Sequence, residues 1–375
     1  MKLEKISFMG FRNLEDSSIV PASDINVIWG NNAQGKTNLL EAIWLFTGGH
    51  SFRGNKDTEL LTIGNKEKGA KLDAEFFSEN RQQKATLKLT PQKGGVVKRS
   101  SVINGVEKKV GSALVGKICA VIFSPEHLLL VKEGPGKRRN FIDGAICQTK
   151  PSYAKTLAQY NRSVQQRNSL LKTLFSHPEL ADTLDIWDER VIQFGSVVIS
   201  ERLSYIDRLI PKTEEIYRGI SRDKEKIGIK YIVSGFDLSE NTSVDNIADS
   251  LRKALTNSRQ SDIRFGHTSV GPHRDDIDFT LDGLSARTYG SQGQQRSVVL
   301  SLKLAEAEIL EKAIGEAPLV LLDDVMSELD ASRQDYLLNH LENRQVFITC
   351  CSPETVNLME KGKRFYVENG RIEEK

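Results

Sequence analysis

Two short segments, almost three hundred residues apart, hold the residues of this chain best suited to chemistry. Gly30-Asn31-Asn32-Ala33-Gln34-Gly35-Lys36-Thr37 fits the pattern G-x-x-x-x-G-K-[ST]. Such a loop is short because its backbone N–H groups wrap phosphates. Gly30 and Gly35 supply the backbone angles and close approach that wrapping needs, and the following helix adds its positive N-terminal end. Lys36 is expected to reach the β- and γ-phosphates of a nucleoside triphosphate, and Thr37 to ligate Mg²⁺. Leu319-Val320-Leu321-Leu322-Asp323-Asp324 is an apolar run ending in two carboxylates. Asp323 is expected to hold the Mg²⁺, directly or through water, and Asp324 to act as the general base that orients an attacking water. Alone, that carboxylate pair reads as a strand end meeting solvent. Together with the glycine loop it reads as half of a triphosphate-hydrolysing site.

The elements around these residues have the required order. Ile25-Asn26-Val27-Ile28-Trp29 is an apolar strand running into Gly30, and Leu39, Leu40, Ile43 and Trp44 recur at helical spacing over Lys36 to Phe46. Residues 70 to 110 read as a meander of Leu72–Phe77, Ala85–Leu89 and Val96–Ile103, with a tight Asn104-Gly105 turn. Lys117 to Phe123 is a further strand. From Glu126 to Asn257 the pattern turns helical: Tyr153 to Leu174, Asp182 to Ile210 and Val244 to Asn257, with Pro178 and Pro211 as boundaries. Strands return at Ile277–Leu281, Val320–Leu322, Val346–Ile348 and Arg364–Val367, with a helix from Gly293 to Glu311. Because glycine loop and carboxylate strand must meet, the middle is an insertion. The expectation is an α/β lobe from 1–125 and 265–375, a P-loop sheet plus an antiparallel β subdomain, with an inserted, mainly helical second lobe at 126–264.

Composition narrows the class. The chain has 375 residues, 39% hydrophobic and 27% charged, ordinary for a globular protein. No apolar run approaches the roughly 18 residues of a membrane span, and Met1 to Ile6 does not open a signal peptide. Cys119, Cys147, Cys350 and Cys351 lack CxxC spacing, which argues against a zinc site or a disulfide framework and for a reduced, cytoplasmic setting. The net charge of +2 conceals a basic stretch. From Gly134 to Phe175, Lys137, Arg138, Arg139, Lys150, Lys155, Arg162, Arg167 and Lys172 stand against Asp143 alone. This is either a solvated helix face or a phosphate-contacting surface.

A third segment is Tyr289-Gly290-Ser291-Gln292-Gly293-Gln294-Gln295-Arg296-Ser297, ahead of the helix with Leu300, Leu302 and Leu304. A Ser-x-Gly-Gln turn at a helix N-terminus is either an anion site or a plain cap. Standing 32 residues before Asp323, it resembles the signature of ATP-binding-cassette ATPases, and Ser327-Glu328-Leu329-Asp330 resembles their D-loop. Further stretches make the resemblance specific. Phe11-Arg12-Asn13, Phe123-Ser124-Pro125-Glu126, Gly134-Pro135 through Arg138-Arg139, Tyr160-Asn161-Arg162 and Gly271-Pro272-His273-Arg274-Asp275-Asp276 are similar to the RecF family, bacterial recombination mediators related to SMC head domains. The resemblance spans nearly the whole chain.

It implies an ABC-ATPase head fold and an ATP-dependent dimer. Ser291, Gln292, Gly293 and Gln294 of one copy then close over ATP on the loop of the other, with Ser291 joining Lys36 and Asp324 in catalysis. Arg12, Asn13 and Asn38 lie near the nucleotide, and Ser327 and Asp330 form the D-loop. It implies ATP and Mg²⁺ as ligands, double-stranded or gapped DNA, RecR and RecO as partners and RecA indirectly, in replication, repair and the SOS response. Weak, DNA-stimulated hydrolysis then releases the dimer. The Gly271–Asp276 stretch reads as framework of the ATPase lobe; a metal reading of His273 and its neighbouring carboxylates is weaker than a hydrogen-bonded turn. Two residues depart from the wider cassette pattern. Asp324 stands where Glu is usual, implying slow turnover, and Ile348-Thr349-Cys350-Cys351 lacks a switch histidine, whose place Thr349 is a candidate to fill. Lys137, Arg138, Arg139, Lys155 and Arg162 are candidate DNA contacts, with Lys93, Lys98 and Arg99 as a second set against a solvated hairpin. An SMC-like structural DNA clamp with a minor role for hydrolysis is the alternative. A transporter ATPase predicts a Leu-Ser-Gly-Gly-Gln signature and a switch His, which the sequence lacks. A nuclease would need a carboxylate cluster that the sequence does not offer outside the ATP site.

Overall fold

Strands buried on both faces read as continuous apolar runs, and strands with one wet face alternate. Both kinds occur in the computed structural model of the chain, which describes residues 1–54, 56–64, 66–108, 111–174, 176–238, 243–351 and 362–375. Phe175, the last residue of the basic stretch, lies outside them. In chain order the first elements are β1 (Lys2–Met9), β2 (Ser17–Ile19), β3 (Ile25–Trp29), α1 (Lys36–Trp44), β4 (Ala70–Ser78), β5 (Arg81–Gln92), β6 (Val96–Ile103), β7 (Val106–Lys108), β8 (Ala120–Phe123) and α2 (Pro125–Leu128). Next come α3 (Pro135–Thr149), α4 (Pro151–Thr173), α5 (Leu184–Ser221), β9 (Ile227–Ile232), α6 (Val244–Phe265), β10 (Asp276–Leu281), β11 (Leu284–Ser285) and α7 (Ala286–Tyr289). The last are α8 (Gln292–Ile314), β12 (Leu319–Asp323), α9 (Ala331–His340), β13 (Val346–Cys350), β14 (Lys363–Glu368) and β15 (Arg371–Glu374). The chain divides into two compact units, Met1–Leu129 with Arg296–Lys375, and Leu130–Gln295.

The first unit contains two sheets. One has the order β15-β14-β3-β13-β12-β8. All its pairings are parallel except β14 with β15. β12 and β13 are buried at every position, as a covered parallel sheet requires. Their register sets Asp323 beside Thr349, and β13 in turn sets Cys350 beside Trp29. The carboxyl ends of β3, β13 and β12 therefore lie side by side, the usual place for a ligand in an α/β sheet. The other sheet is antiparallel, order β2-β1-β4-β5-β6-β7, and its central strands β4 and β5 alternate buried with more exposed residues. Its inner face (Leu3, Ile6, Leu72, Phe76, Leu87) shares one core with Leu39, Leu40 and Ile43 of α1 and with Leu319, Leu321 and Phe347. Each such side chain contributes about 1.5–3 kcal/mol on burial.

The second unit holds α3 to α7 and the small sheet β11-β10-β9. α5 runs 38 residues and passes through Pro211, where the sequence suggested a boundary. The buried stripe explains the run: Ile206 and Leu209 before the proline continue as Ile216 and Tyr217 after it. That burial outweighs the roughly 3 kcal/mol cost of an interior proline. A further correction concerns the domain limits. β10 pairs along its length with β9, from Asp276 opposite Ile232 to Leu281 opposite Ile227. Gly271–Asp276 and β10 thus belong to the second unit, which runs to Gln295 rather than 264. Among the described residues no helix is long and apolar enough to cross a membrane.

Candidate active site

The loop between β3 and α1 owes its shape to positions a side chain cannot fill. Gly30 has φ 149°, and a Cβ there would lie 2.3 Å from the carbonyl oxygen of Val367. Ala33 takes φ 64°, a conformation rare outside glycine that surrounding bonds must hold. Asn13 Nδ2 donates to the carbonyls of Ala33 and Gln34 at 3.5 and 3.3 Å, and Gly370 N donates to Gln34 O at 3.0 Å. Asn38 Nδ2 donates to Asn13 Oδ1 at 2.6 Å. Lys36 is buried; its Nζ donates to Gly30 O at 2.6 Å and Asn31 O at 2.9 Å and lies 3.2 Å from Cys351 Sγ. That thiol is in turn 2.8 Å from Asn32 Oδ1.

The carboxylates arrive from the other end of the chain. Thr37 Oγ1 donates to Asp323 Oδ1 at 2.8 Å, across 286 residues. Thr349 Oγ1 donates to the same oxygen at 2.9 Å and accepts the Asp324 N–H at 2.8 Å, tying the two acids together. Burial raises the Asp323 carboxyl above its ordinary range, opposed by the hydroxyls of Thr37 and Thr349. Burial also raises Asp324, opposed by the Lys36 ammonium. The hydroxyl and carboxylate oxygen at Thr37 and Asp323 form a hard-oxygen pair that fits Mg²⁺.

Lys36, Thr37, Asp324 and Thr349 border a cleft of about 360 Å³, with Asp323 held against it by Thr37. It is lined by Asn32, Ala33, Gly35, Lys36, Thr37 and Asn38 of the loop, by Arg12 and Asn13, and by Asp324 and Thr349. Gly30, Asn31 and Gln34 serve through backbone bonds behind it. Arg53, Glu59, Leu61 and Ile63 also line it, and no motif pointed to them. They arrive through long-range pairing: Arg12 N donates to Leu60 O at 2.9 Å and Thr62 N to Gly10 O at 3.0 Å. Arg53 Nη1 donates to Asn38 Oδ1 at 2.8 Å.

Ser291, Gln292, Gly293 and Gln294 are not among the residues lining the cleft. Ser291 N donates to Gln294 Oε1 at 2.7 Å and Ser291 Oγ accepts from Gln294 N at 3.2 Å, a reciprocal cap at the start of α8. Ser327 Oγ donates to Asp324 O at 2.8 Å, and the Asp330 carboxylate caps α9 by accepting from Arg333 N at 3.0 Å.

The basic candidates divide sharply. Arg138 is 3% exposed, forks onto Asp276 at 2.6 and 2.9 Å and donates to Glu133 O, so it is no phosphate contact. Arg139 donates to Asp275 O at 2.7 Å, and Lys137 is exposed with its Nζ 3.6 Å from Glu133. Arg167 is fully buried against Asp188 and Asp262, and Arg99 forks onto Asp57. Lys155 and Arg162 are exposed on α4, and Lys93 and Lys98 are exposed in the meander. His273 is no metal ligand: Nδ1 lies 2.6 Å from the Tyr160 hydroxyl and Nε2 3.1 Å from Thr268 O, so both ring nitrogens are engaged.

Known proteins share this sequence and this fold. The family model described as RecF/RecN/SMC N terminal domain matches residues 2–373. "DNA replication and repair protein RecF" of Acetivibrio thermocellus is 41% identical over 99% of both chains. Its namesake in Clostridium perfringens (strain SM101 / Type A) is 40% identical over 100% of both. The solved "Structure of the recombination mediator protein RecF-ATP in RecFOR pathway" superposes with a TM-score of 0.91 at 36% identity, covering 100% of this chain and 97% of that one. The Smc head domain of Pyrococcus furiosus, at 15% identity and a TM-score of 0.55 over 100% and 96% of the two chains, shares the fold alone. An ABC/SMC-type head, its P-loop sheet and antiparallel β subdomain interrupted by a helical insertion, is thus joined to close sequence likeness along its whole length, and the chain belongs to the RecF family.

Proposed function

We propose that the chain is an ATP-gated, DNA-binding dimer of recombinational repair, in which slow hydrolysis releases the dimer. The observation that carries this reading is the meeting of Lys36, Thr37 and Asp324 at one cleft, with Asp323 bonded to Thr37 at its edge. Lys36 exchanges its loop carbonyls for the β- and γ-phosphate oxygens of ATP. Thr37 and Asp323 would hold Mg²⁺, which when bound would offset phosphate charge. Asp324 orients the attacking water and accepts its proton; as an aspartate it reaches one methylene less far than glutamate, which favours slow turnover. Thr349 keeps both acids in register. Ser291, Gln292, Gly293 and Gln294 act on the nucleotide of a second copy, so that the γ-phosphate joins two chains and its loss parts them. Lys155 and Arg162 contact DNA phosphates. RecO and RecR are the partners and recombinase loading at gaps the outcome, a reading supported by the likeness to a solved recombination mediator, RecF of the RecFOR pathway.

The test is mass by light scattering of the full chain with ATP, with ADP and as Lys36→Arg, each with and without duplex DNA. A dimer with ATP and a monomer with ADP are expected, and phosphate release measured on the same samples is expected to be lost in Lys36→Arg. A monomer under every condition rules out the trans arrangement.

A further inference from the structure

Glu41 on α1 is a carboxylate with 0% exposure. Such groups are almost never fully buried unless paired, and here the partner is a residue of the nucleotide cleft. Arg12 Nε donates to Glu41 Oε2 at 2.8 Å and Arg12 Nη2 to Oε1 at 3.0 Å, a two-pronged fork. Ser51 Oγ donates to the same Oε1 at 2.5 Å, a further bond that fixes the carboxylate. Arg12 Nη1 donates to Glu59 O at 2.8 Å. The backbone is fixed too. Arg12 sits at φ 53°, its N–H bonded to Leu60 O at 2.9 Å and Phe11 bridged to Leu61. A guanidinium carries five N–H groups, and three hydrogen bonds hold this one while it lines the cleft.

We propose that Glu41 is a positioning residue for nucleotide binding: it locks Arg12 as a rigid fork whose remaining N–H groups receive phosphate oxygens of the bound triphosphate. This rests on reading the cleft as the ATP site. An arginine free in solvent must give up its rotamer freedom on binding, whereas one already clamped has little left to lose. Glu41 lies behind Arg12 and outside the cleft lining, so it acts through Arg12.

The test is Mg-ATP affinity by calorimetry and steady-state hydrolysis on the full chain, for wild type, Glu41→Gln, Arg12→Ala and the double variant, with melting temperatures alongside. Glu41→Gln is expected to weaken ATP binding and raise KM by about tenfold, the scale of one charge-assisted hydrogen bond, with kcat within about twofold. In the Arg12→Ala background the same change should have no further effect on affinity, and Glu41→Asp should recover part of the loss. An equal loss with and without Arg12, tracking a lowered melting temperature, overturns the positioning role, as does unchanged affinity in Glu41→Gln. Wild type that fails to bind ATP overturns the underlying reading instead. Should Glu41→Gln not fold, Ser51→Ala carries the test: about threefold weaker binding, vanishing in the Arg12→Ala background, is the expected result, and a loss indifferent to Arg12 overturns it.

Discussion

Asp324 stands one residue past the end of β12 with φ 53°, a left-handed backbone uncommon outside glycine. Three constraints hold it there: its N–H on Thr349, its carbonyl under Ser327 and its side chain against the cleft. Asparagine tolerates that backbone as well as aspartate does, so Asp324→Asn removes the base and little else. The expected outcome is a fall in kcat of at least about 100-fold, with ATP affinity within about threefold. Single-turnover hydrolysis beside equilibrium binding measures both; a kcat within tenfold of wild type removes Asp324 from the role of base. At this scale much of the site was legible. Lys36, Thr37, Asp323 and Asp324 sit in patterns whose spacing the phosphate chemistry dictates. Glu41 and Arg53 sit in none, because their partners are set by tertiary contacts of Arg12 and Asn38. Arg138 and Arg167 misled for a related reason: a charge count along the chain does not report which guanidinium is buried against a carboxylate.

At the scale of elements, the turn Gly271–Asp276 fastens the helices of the second unit to its small sheet. Arg202 of α5 donates to Pro272 O at 2.7 Å and forks onto Asp143 of α3, while Tyr231 of β9 and Ser234 N donate to Asp275. Gly271 has φ 115°, and a Cβ there would lie 2.8 Å from the hydroxyl of Tyr160 on α4. His273 in this turn is neutral; burial drives its pKa down to about 4 from 6.5. The sign follows from proton linkage. Between those values the unfolded chain binds more protons than the folded one, so stability falls as pH drops through 6.5 and the loss is complete below about 4. Between pH 7.5 and 5.5 this residue alone should remove about 1 kcal/mol. Urea unfolding at the two pH values, on wild type and His273→Gln, checks it: the drop should shrink by that amount in the variant, and an equal drop in both shows that His273 does not carry it. Elements with strong periodicity were readable, among them the meander and α4. β9 was not, since its short run containing Gly228 gains its strand character only from pairing with β10.

At the scale of the molecule, one inference from sequence needed no structure: a loop near residue 30 and carboxylates near 323 that serve one site force both ends of the chain into one unit. The limit of that unit was hidden, because the pairing of β9 with β10 carries residues up to Gln295 into the other. Burial narrows the candidates for DNA contact. α4 has no Asp or Glu between Pro151 and Thr173, and it exposes Lys155 and Arg162 seven residues apart on one face. Lys137 is exposed but has Glu133 3.6 Å away, a carboxylate that offsets its charge toward phosphate, and Arg138 is internal. Phosphate contacts release counterions, so each one lost lowers the slope of log affinity against log salt by about one. Lys155→Ala with Arg162→Ala should therefore weaken binding to gapped duplex and lower that slope by about 2, measured by fluorescence anisotropy across a salt series with ATP present. Lys137→Ala should leave the slope in place. Arg138→Ala should instead lower the melting temperature, since it removes the buried partner of Asp276 and leaves the carbonyls of Leu130 and Glu133 without their donor. An unchanged slope in the Lys155 and Arg162 pair removes α4 from the DNA surface and leaves Lys93 and Lys98, exposed on the antiparallel sheet, as the basic residues to replace next.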